Sequence, residues 1–87
     1  MTHHVYSLPL PDATYVGITA MEVAEKQKLL RDSPPKWLGL EFPGVMYKVV
    51  PITERRVSKA SALALEAAHV ALLMAQGEYV RGGSWAS

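Results

Sequence analysis

The segment from Ala60 to Ala75 is the most apolar part of the chain, and it constrains the fold most strongly. It is too short to cross a bilayer as a helix, which takes about 20 apolar residues, and it carries the charged residue Glu66. Ser58 precedes it and Gly77 follows it, which predicts a helix from Lys59 to about Gln76. Because this helix is apolar on nearly all sides, we expect it to lie in the core or to be covered by a second subunit.

Three short runs rich in β-branched and aromatic residues predict strands. Val5 to Leu8 and Thr14 to Ile18 are joined by a connection that contains prolines, which indicates a β-hairpin. Met46 to Val50 forms a third strand, which Pro51 should end. The N-terminal part of the chain is therefore predicted to contribute most of a small sheet.

A first helix is predicted between the hairpin and the third strand. Thr19 and Glu22 have the spacing of a capping box, so the helix should run from about Ala20 to Arg31 and end before the prolines that follow. Trp37 and Phe42 are expected to anchor the loop after it.

The predicted order of elements is β-β-α-β-α, in one domain over residues 1–87. The fold class is α/β (α+β), with a small three-stranded antiparallel sheet and helices packed on it. A hydrophobic share of 49% is enough for a core, and the absence of cysteine excludes disulfides and cysteine–zinc sites. We expect a soluble, cytoplasmic protein without a membrane span. A net charge of +1 means that any nucleic-acid contact would depend on a local basic patch.

The tyrosines of the two hairpin strands stand in recognisable short motifs. Val5-Tyr6 and Tyr15-Val16-Gly17 are similar to the GIY and YIG signatures, and the two tyrosines are nine positions apart. Gly17-Ile18-Thr19 resembles the G-x-T that follows YIG, and Val80 to Trp85 is similar to a closing V-R-G-G-S-aromatic motif. With the order of elements, these motifs make the whole chain resemble a GIY-YIG nuclease domain.

The resemblance implies a metal-dependent endonuclease that hydrolyses DNA phosphodiester bonds. Tyr6 would orient or activate the attacking water, and Tyr15 would position phosphate or water. Glu66 would bind one divalent ion, Mg²⁺ or Mn²⁺. Its apolar neighbours independently favour burial, and a buried carboxylate is costly unless it is paired or binds a cation.

The first helix departs from the family pattern. The family has an arginine within about two turns of the G-x-T, whereas this chain has Lys26 there and its first arginine at Arg31. Either could contact a phosphate, but a lysine lacks the bidentate fork of arginine. Tyr79 also replaces an asparagine that often precedes V-R-G-G.

Several other basic side chains are candidates for contacts to DNA phosphates: Lys28, Arg55, Arg56, Lys59, His69 and Arg81. Each also has a structural interpretation, as solvated surface, as a C-terminal turn or as a hydrogen-bonded core histidine. Tyr6 and Tyr15 could likewise be cross-strand packing, and Glu66 could pair with one of the arginines.

Three hypotheses follow. The first is an endonuclease of the kind found in phages or mobile elements. The second is a catalytically inactive GIY-YIG-like module that binds nucleic acid, a phosphorylated small ligand or a protein. The third is a protein-binding module that forms a homodimer through the apolar helix 60–75.

Overall fold

The computed structural model describes residues 1–81, which form a five-stranded sheet and three helices. The elements in chain order are β1 (Thr2–Pro9), β2 (Thr14–Thr19), α1 (Val23–Asp32), α2 (Lys36–Glu41), β3 (Val50–Pro51), β4 (Val57–Ser58), α3 (Lys59–Ala75) and β5 (Val80–Arg81). The α+β class is confirmed. The tail motif after Arg81, including Trp85, lies outside the described residues.

The sheet is larger than the predicted three-stranded one, and it is mixed. Its strand order is β3-β1-β2-β5, and β4 pairs with the start of β1. The predicted hairpin is confirmed, because β1 and β2 pair antiparallel with Tyr6 opposite Gly17. The prediction of an antiparallel sheet was wrong, because β5 runs parallel to β2 and sets Arg81 beside Tyr15.

The third strand was also predicted wrongly. Only Val50 and Pro51 pair with β1, and residues 45–49 lie in no strand. The side chain of Gln27 contacts this segment instead: its Nε2 donates to the Tyr47 carbonyl, and its Oε1 accepts from the Val49 amide at 2.7 Å. These bonds satisfy backbone groups that a neighbouring strand would otherwise pair.

Helix α1 begins at Val23, three residues later than predicted, and no capping box forms. Thr19 remains in β2, where its Oγ1 accepts from the Met21 amide at 3.1 Å. Glu22 occupies the N-cap position without a side-chain capping bond, and its carboxylate lies 3.1 Å from Arg56 Nη2. The Glu22 carboxylate therefore pairs with Arg56 instead of forming the capping box with Thr19.

The segment predicted as a loop contains the short helix α2. Leu38 is fully buried and fixes the helix against the core, together with Phe42 just after it. The Tyr47 hydroxyl donates towards the carbonyls of Leu38 and Phe42, at 3.2 and 2.9 Å, and so supports the end of the helix.

Two hydrophobic clusters form the core. The first contains Tyr6, Leu8, Leu30, Leu38, Phe42 and Val49, and the second contains Val5, Val16, Ala62 and Val70. Consecutive strand residues point to opposite faces of a sheet. Tyr6 belongs to the first cluster and Val5 to the second, so the two clusters lie on opposite sides of the sheet.

Helix α3 confirms the predicted span and cap, because Ser58 Oγ accepts from the Ser61 amide at 3.2 Å and Gly77 has a φ of 82°. The helix packs on β1 and β2 through Ala62, Glu66 and Val70, and its other side is exposed. Within residues 1–81, no helix has both the length and the apolar character to cross a membrane.

Candidate functional site

The two tyrosines of the motif-bearing hairpin lie side by side on one face of the sheet. Tyr6 is buried and Tyr15 is half-buried, and their ring centroids are 6.1 Å apart with an angle of 31° between the planes. Hairpin register explains the contact, because Tyr6 is opposite Gly17 and Tyr15 is two residues before it on the same face.

Gly17 makes this arrangement possible. A Cβ at this position would lie 3.0 Å from both Tyr15 Cε1 and the Tyr6 hydroxyl oxygen. Contacts this short would force the tyrosine side chains to shift, so the absence of a Cβ lets both rings lie close to β2. The glycine of the YIG-like motif therefore has a direct packing role.

The structure brings one of the two candidate cations of α1 to the tyrosines. Lys26 Nζ is 5.7 Å from the centroid of the Tyr6 ring, within the range of a cation–π interaction. Arg31 does not share this position: its Nε lies 3.2 Å from Asp32, and its side chain is 68% exposed. Of these two cations, Lys26 is therefore the one that lies next to Tyr6.

Glu66 enters the core from α3. It is 1% exposed, and Ala62 and Val70, one turn before and after it, belong to the second hydrophobic cluster. The helix thus approaches from the side of the sheet occupied by Val5. The charge of Glu66 still contributes to the electrostatic environment of Tyr6.

The pKa of Tyr6 is raised well above its usual value. Burial of the phenol is the largest cause, followed by the charge and hydrogen bonding of Tyr15 and then by the Glu66 carboxylate. The Tyr6 phenol is therefore protonated at neutral pH, and it can donate a hydrogen bond but is a poor base. To serve as a base it needs an added positive charge close to it.

A second set of side chains, which was not predicted to act together, extends this site along the sheet. The Trp37 ring stacks on Tyr15 with centroids 5.7 Å apart, and the Arg81 guanidinium lies 5.8 Å from Trp37 and 5.4 Å from Phe42. Arg81 forms a two-pronged ion pair with Glu41. Hydrogen bonding within the pair lowers the pKa of Glu41 and raises that of Arg81.

No local sequence signal identifies this set, because Trp37, Glu41 and Arg81 meet only after α2 docks and β5 pairs with β2. We therefore define the aromatic row as Tyr6, Tyr15 and Trp37, with Lys26 at one end and Arg81 at the other.

The remaining basic candidates are distributed over other surfaces. Lys28 is exposed on α1, Arg55 and Arg56 precede β4, and Lys59 opens α3. Arg56 is paired with Glu22, which also lies 3.7 Å from the His4 ring. His69 is half-buried on α3. Among residues 1–81, none of these side chains forms a hydrogen bond, an ion pair or a cation–π contact with the aromatic row.

For a metal ion, Glu66 remains the principal candidate ligand. The described residues contain no group of three or more histidine, cysteine, aspartate or glutamate side chains arranged to hold an ion. A single carboxylate is chemically compatible with Mg²⁺, which keeps several water ligands and takes one or two carboxylates from protein.

Comparison with protein-family models, with curated proteins and with solved structures gives no match to this chain.

Proposed function

We propose that the protein is a GIY-YIG-like, metal-dependent endonuclease that cuts DNA at the Tyr6–Tyr15 site. The observation that carries the proposal is the packing of both tyrosines against Gly17 with Lys26 over Tyr6. Tyr6, Tyr15 and Gly17 occupy motif positions on which the resemblance rests, and the absence of a Cβ at Gly17 leaves room for both tyrosine rings.

In this proposal Lys26 attracts the phosphate, and the Tyr6 and Tyr15 hydroxyls orient the phosphate and the attacking water through hydrogen bonds. Glu66 would hold the divalent ion. When bound, such an ion polarises the phosphate, stabilises the leaving oxygen and lowers the pKa of nearby acids. Because the pKa of Tyr6 is raised, Tyr6 can act as a base only if a bound cation lowers that pKa enough for the phenol to ionise.

Plasmid nicking in Mg²⁺ or Mn²⁺ tests the proposal. Lys26→Gln and Tyr6→Phe should each slow nicking on the order of 100-fold, an effect typical of losing electrostatic or acid–base assistance. Lys48→Gln is the control, because Lys48 is an exposed lysine outside the set of candidate DNA contacts, and it should retain nicking. Unchanged rates in both Lys26→Gln and Tyr6→Phe would refute the proposal.

The second candidate function is a module that binds DNA without cutting it. The raised pKa of Tyr6 favours this function, because a buried, protonated phenol cannot activate water. Retarded migration of DNA with no nicking in either metal, over a range of concentrations, would support it.

A homodimer is proposed for α3. Its outward side carries Leu65, Leu72 and Met74, which are 42%, 54% and 57% exposed, among exposed alanines. An uncharged helix face of this kind is rare on a monomer and suits a second copy of itself.

Sedimentation velocity tests the dimer. A Leu65→Gln, Leu72→Gln double variant should sediment as a monomer at concentrations where the wild type is a dimer. Leu40→Gln, at a 72% exposed position on α2, should leave the dimer intact. A wild type that stays monomeric at high concentration contradicts the dimer.

A further inference from the structure

Helix α2 has core contacts that do not involve Trp37. Leu38, which is fully buried, together with Phe42 and the Tyr47 hydroxyl, fixes the helix to the core. Trp37 stacks on Tyr15 and remains 36% exposed. A large aromatic ring is thus partly exposed beside the proposed site.

A basic side chain lies at each end of the aromatic row. Lys26 lies over Tyr6 at one end, and Arg81 lies beside Trp37 at the other. Proteins that bind single strands combine aromatic surfaces, on which unpaired bases stack, with cations that follow the phosphates. Bases in a regular duplex are stacked on each other and cannot offer a free face to Trp37.

Glu41 adds a second feature. It neutralises Arg81, whose guanidinium lies over the Trp37 ring at 5.8 Å from the centroid, in a two-pronged ion pair. Both side chains are partly exposed, so solvent screens the pair and a phosphate can compete with the carboxylate for the guanidinium.

We infer that Trp37 is a stacking platform for an unpaired base, with Arg81 as its phosphate contact, so that the site takes DNA with a single-stranded or flipped-out nucleotide. This inference rests on the proposed nuclease function and names its substrate class. It predicts a preference for single-stranded or locally unpaired DNA over a regular duplex.

Binding in the absence of divalent metal tests the inference separately from cleavage. In a Trp85→Phe background, where Trp37 is the remaining tryptophan, an oligothymidylate should quench its fluorescence, and a duplex of the same length should quench it much less. By fluorescence anisotropy, Trp37→Leu should weaken binding of the labelled single strand about tenfold, the loss typical of one stacked base.

Three further variants sharpen the measurement. Trp37→Phe keeps an aromatic face and should recover part of the affinity, whereas Leu40→Ala, on an exposed position of the same helix, should bind like the wild type. Glu41→Gln should bind more tightly, because it frees Arg81. Circular dichroism and thermal unfolding check that each variant is folded.

The inference is overturned if the single strand leaves Trp37 fluorescence unchanged, or if folded Trp37→Leu and Trp37→Phe bind it as the wild type does. Duplex nicking combined with either result leaves the nuclease function standing and removes only the unpaired substrate. Conversely, Trp37-dependent binding without cleavage in any metal supports the stacking platform and removes the nuclease.

Discussion

At the scale of single residues, Gly17 links backbone geometry to the proposed chemistry. Its Cβ-free backbone accommodates the Tyr6 hydroxyl and the Tyr15 ring, both of which would be 3.0 Å from an added Cβ. Because the Tyr6 phenol is buried, it has little room to move away from an added methyl group.

Gly17→Ala is therefore expected to cost about 1–3 kcal/mol of unfolding free energy, as overpacking does. Gly39→Ala is the matched control: nothing lies within 4 Å of its Cβ position, and the residue is in α2. The control should be neutral or stabilising by about 0.5–1 kcal/mol, because alanine favours helix. Chemical denaturation of both variants makes the comparison, and equal effects would contradict the packing role of Gly17.

Tyr6 gives a prediction for alkaline stability. Its pKa is raised in the folded protein, chiefly by burial, so the folded state favours the protonated phenol. This contribution is fully present below the unfolded pKa of about 10 and is lost as the pH rises towards the folded value.

Unfolding free energy of the wild type should therefore fall more steeply than that of Tyr6→Phe between about pH 9.5 and 11.5. Tyr79→Phe, at an 81% exposed position, should follow the wild type. Parallel curves for the wild type and Tyr6→Phe would show that the phenol is not buried as described.

At the scale of elements, the position of α2 decides whether Trp37 meets Tyr15. The Tyr47 hydroxyl bonds to carbonyls at the end of this helix. Tyr47→Phe should cost about 1 kcal/mol, the net value of a typical hydrogen bond, and should change the near-ultraviolet circular dichroism of the Trp37–Tyr15 stack. Tyr79→Phe again provides the control, and an unaltered spectrum with full stability would remove this role from Tyr47.

The elements that the sequence predicts well are those with local signals. The N-cap Ser58, the positive-φ Gly77 and the apolar run between them define α3 without reference to the rest of the chain. Runs of β-branched and aromatic residues on either side of a connection that contains prolines likewise define the hairpin. The strand predicted at 46–50 was wrong for residues 46–49. Gln27, far away in the sequence, hydrogen-bonds to the Tyr47 carbonyl and the Val49 amide, which a neighbouring strand would otherwise pair.

The same distinction applies to the site. The hairpin register sets Tyr6 opposite Gly17 and therefore beside Tyr15, and Lys26, in the first turn of α1, lies near the Tyr6 ring. This part of the site could be predicted, because it depends on residues that are close in the sequence. The Trp37–Arg81 contact could not, since it depends on the docking of α2 and on a parallel strand pair at the chain's other end.

At the scale of the whole molecule, the residues of the proposed site lie on both sides of one sheet. The aromatic row lies with the first hydrophobic cluster, and Glu66 approaches on α3 with the second. The nuclease proposal requires that the Glu66 carboxylate serve the same site as Tyr6 from the opposite side of the sheet; its charge is the smallest of the causes that raise the pKa of Tyr6.

The most direct test of that claim is the single-turnover nicking rate of Glu66→Gln against wild type in Mg²⁺. The variant keeps the side-chain volume, and Glu25→Gln changes an exposed carboxylate on α1 as the control. We expect the wild type and Glu25→Gln to nick DNA at similar rates. The nicking rate of folded Glu66→Gln should be lower by a factor on the order of 100 or more. Equal nicking by folded Glu66→Gln, or none by the wild type, would contradict the claim.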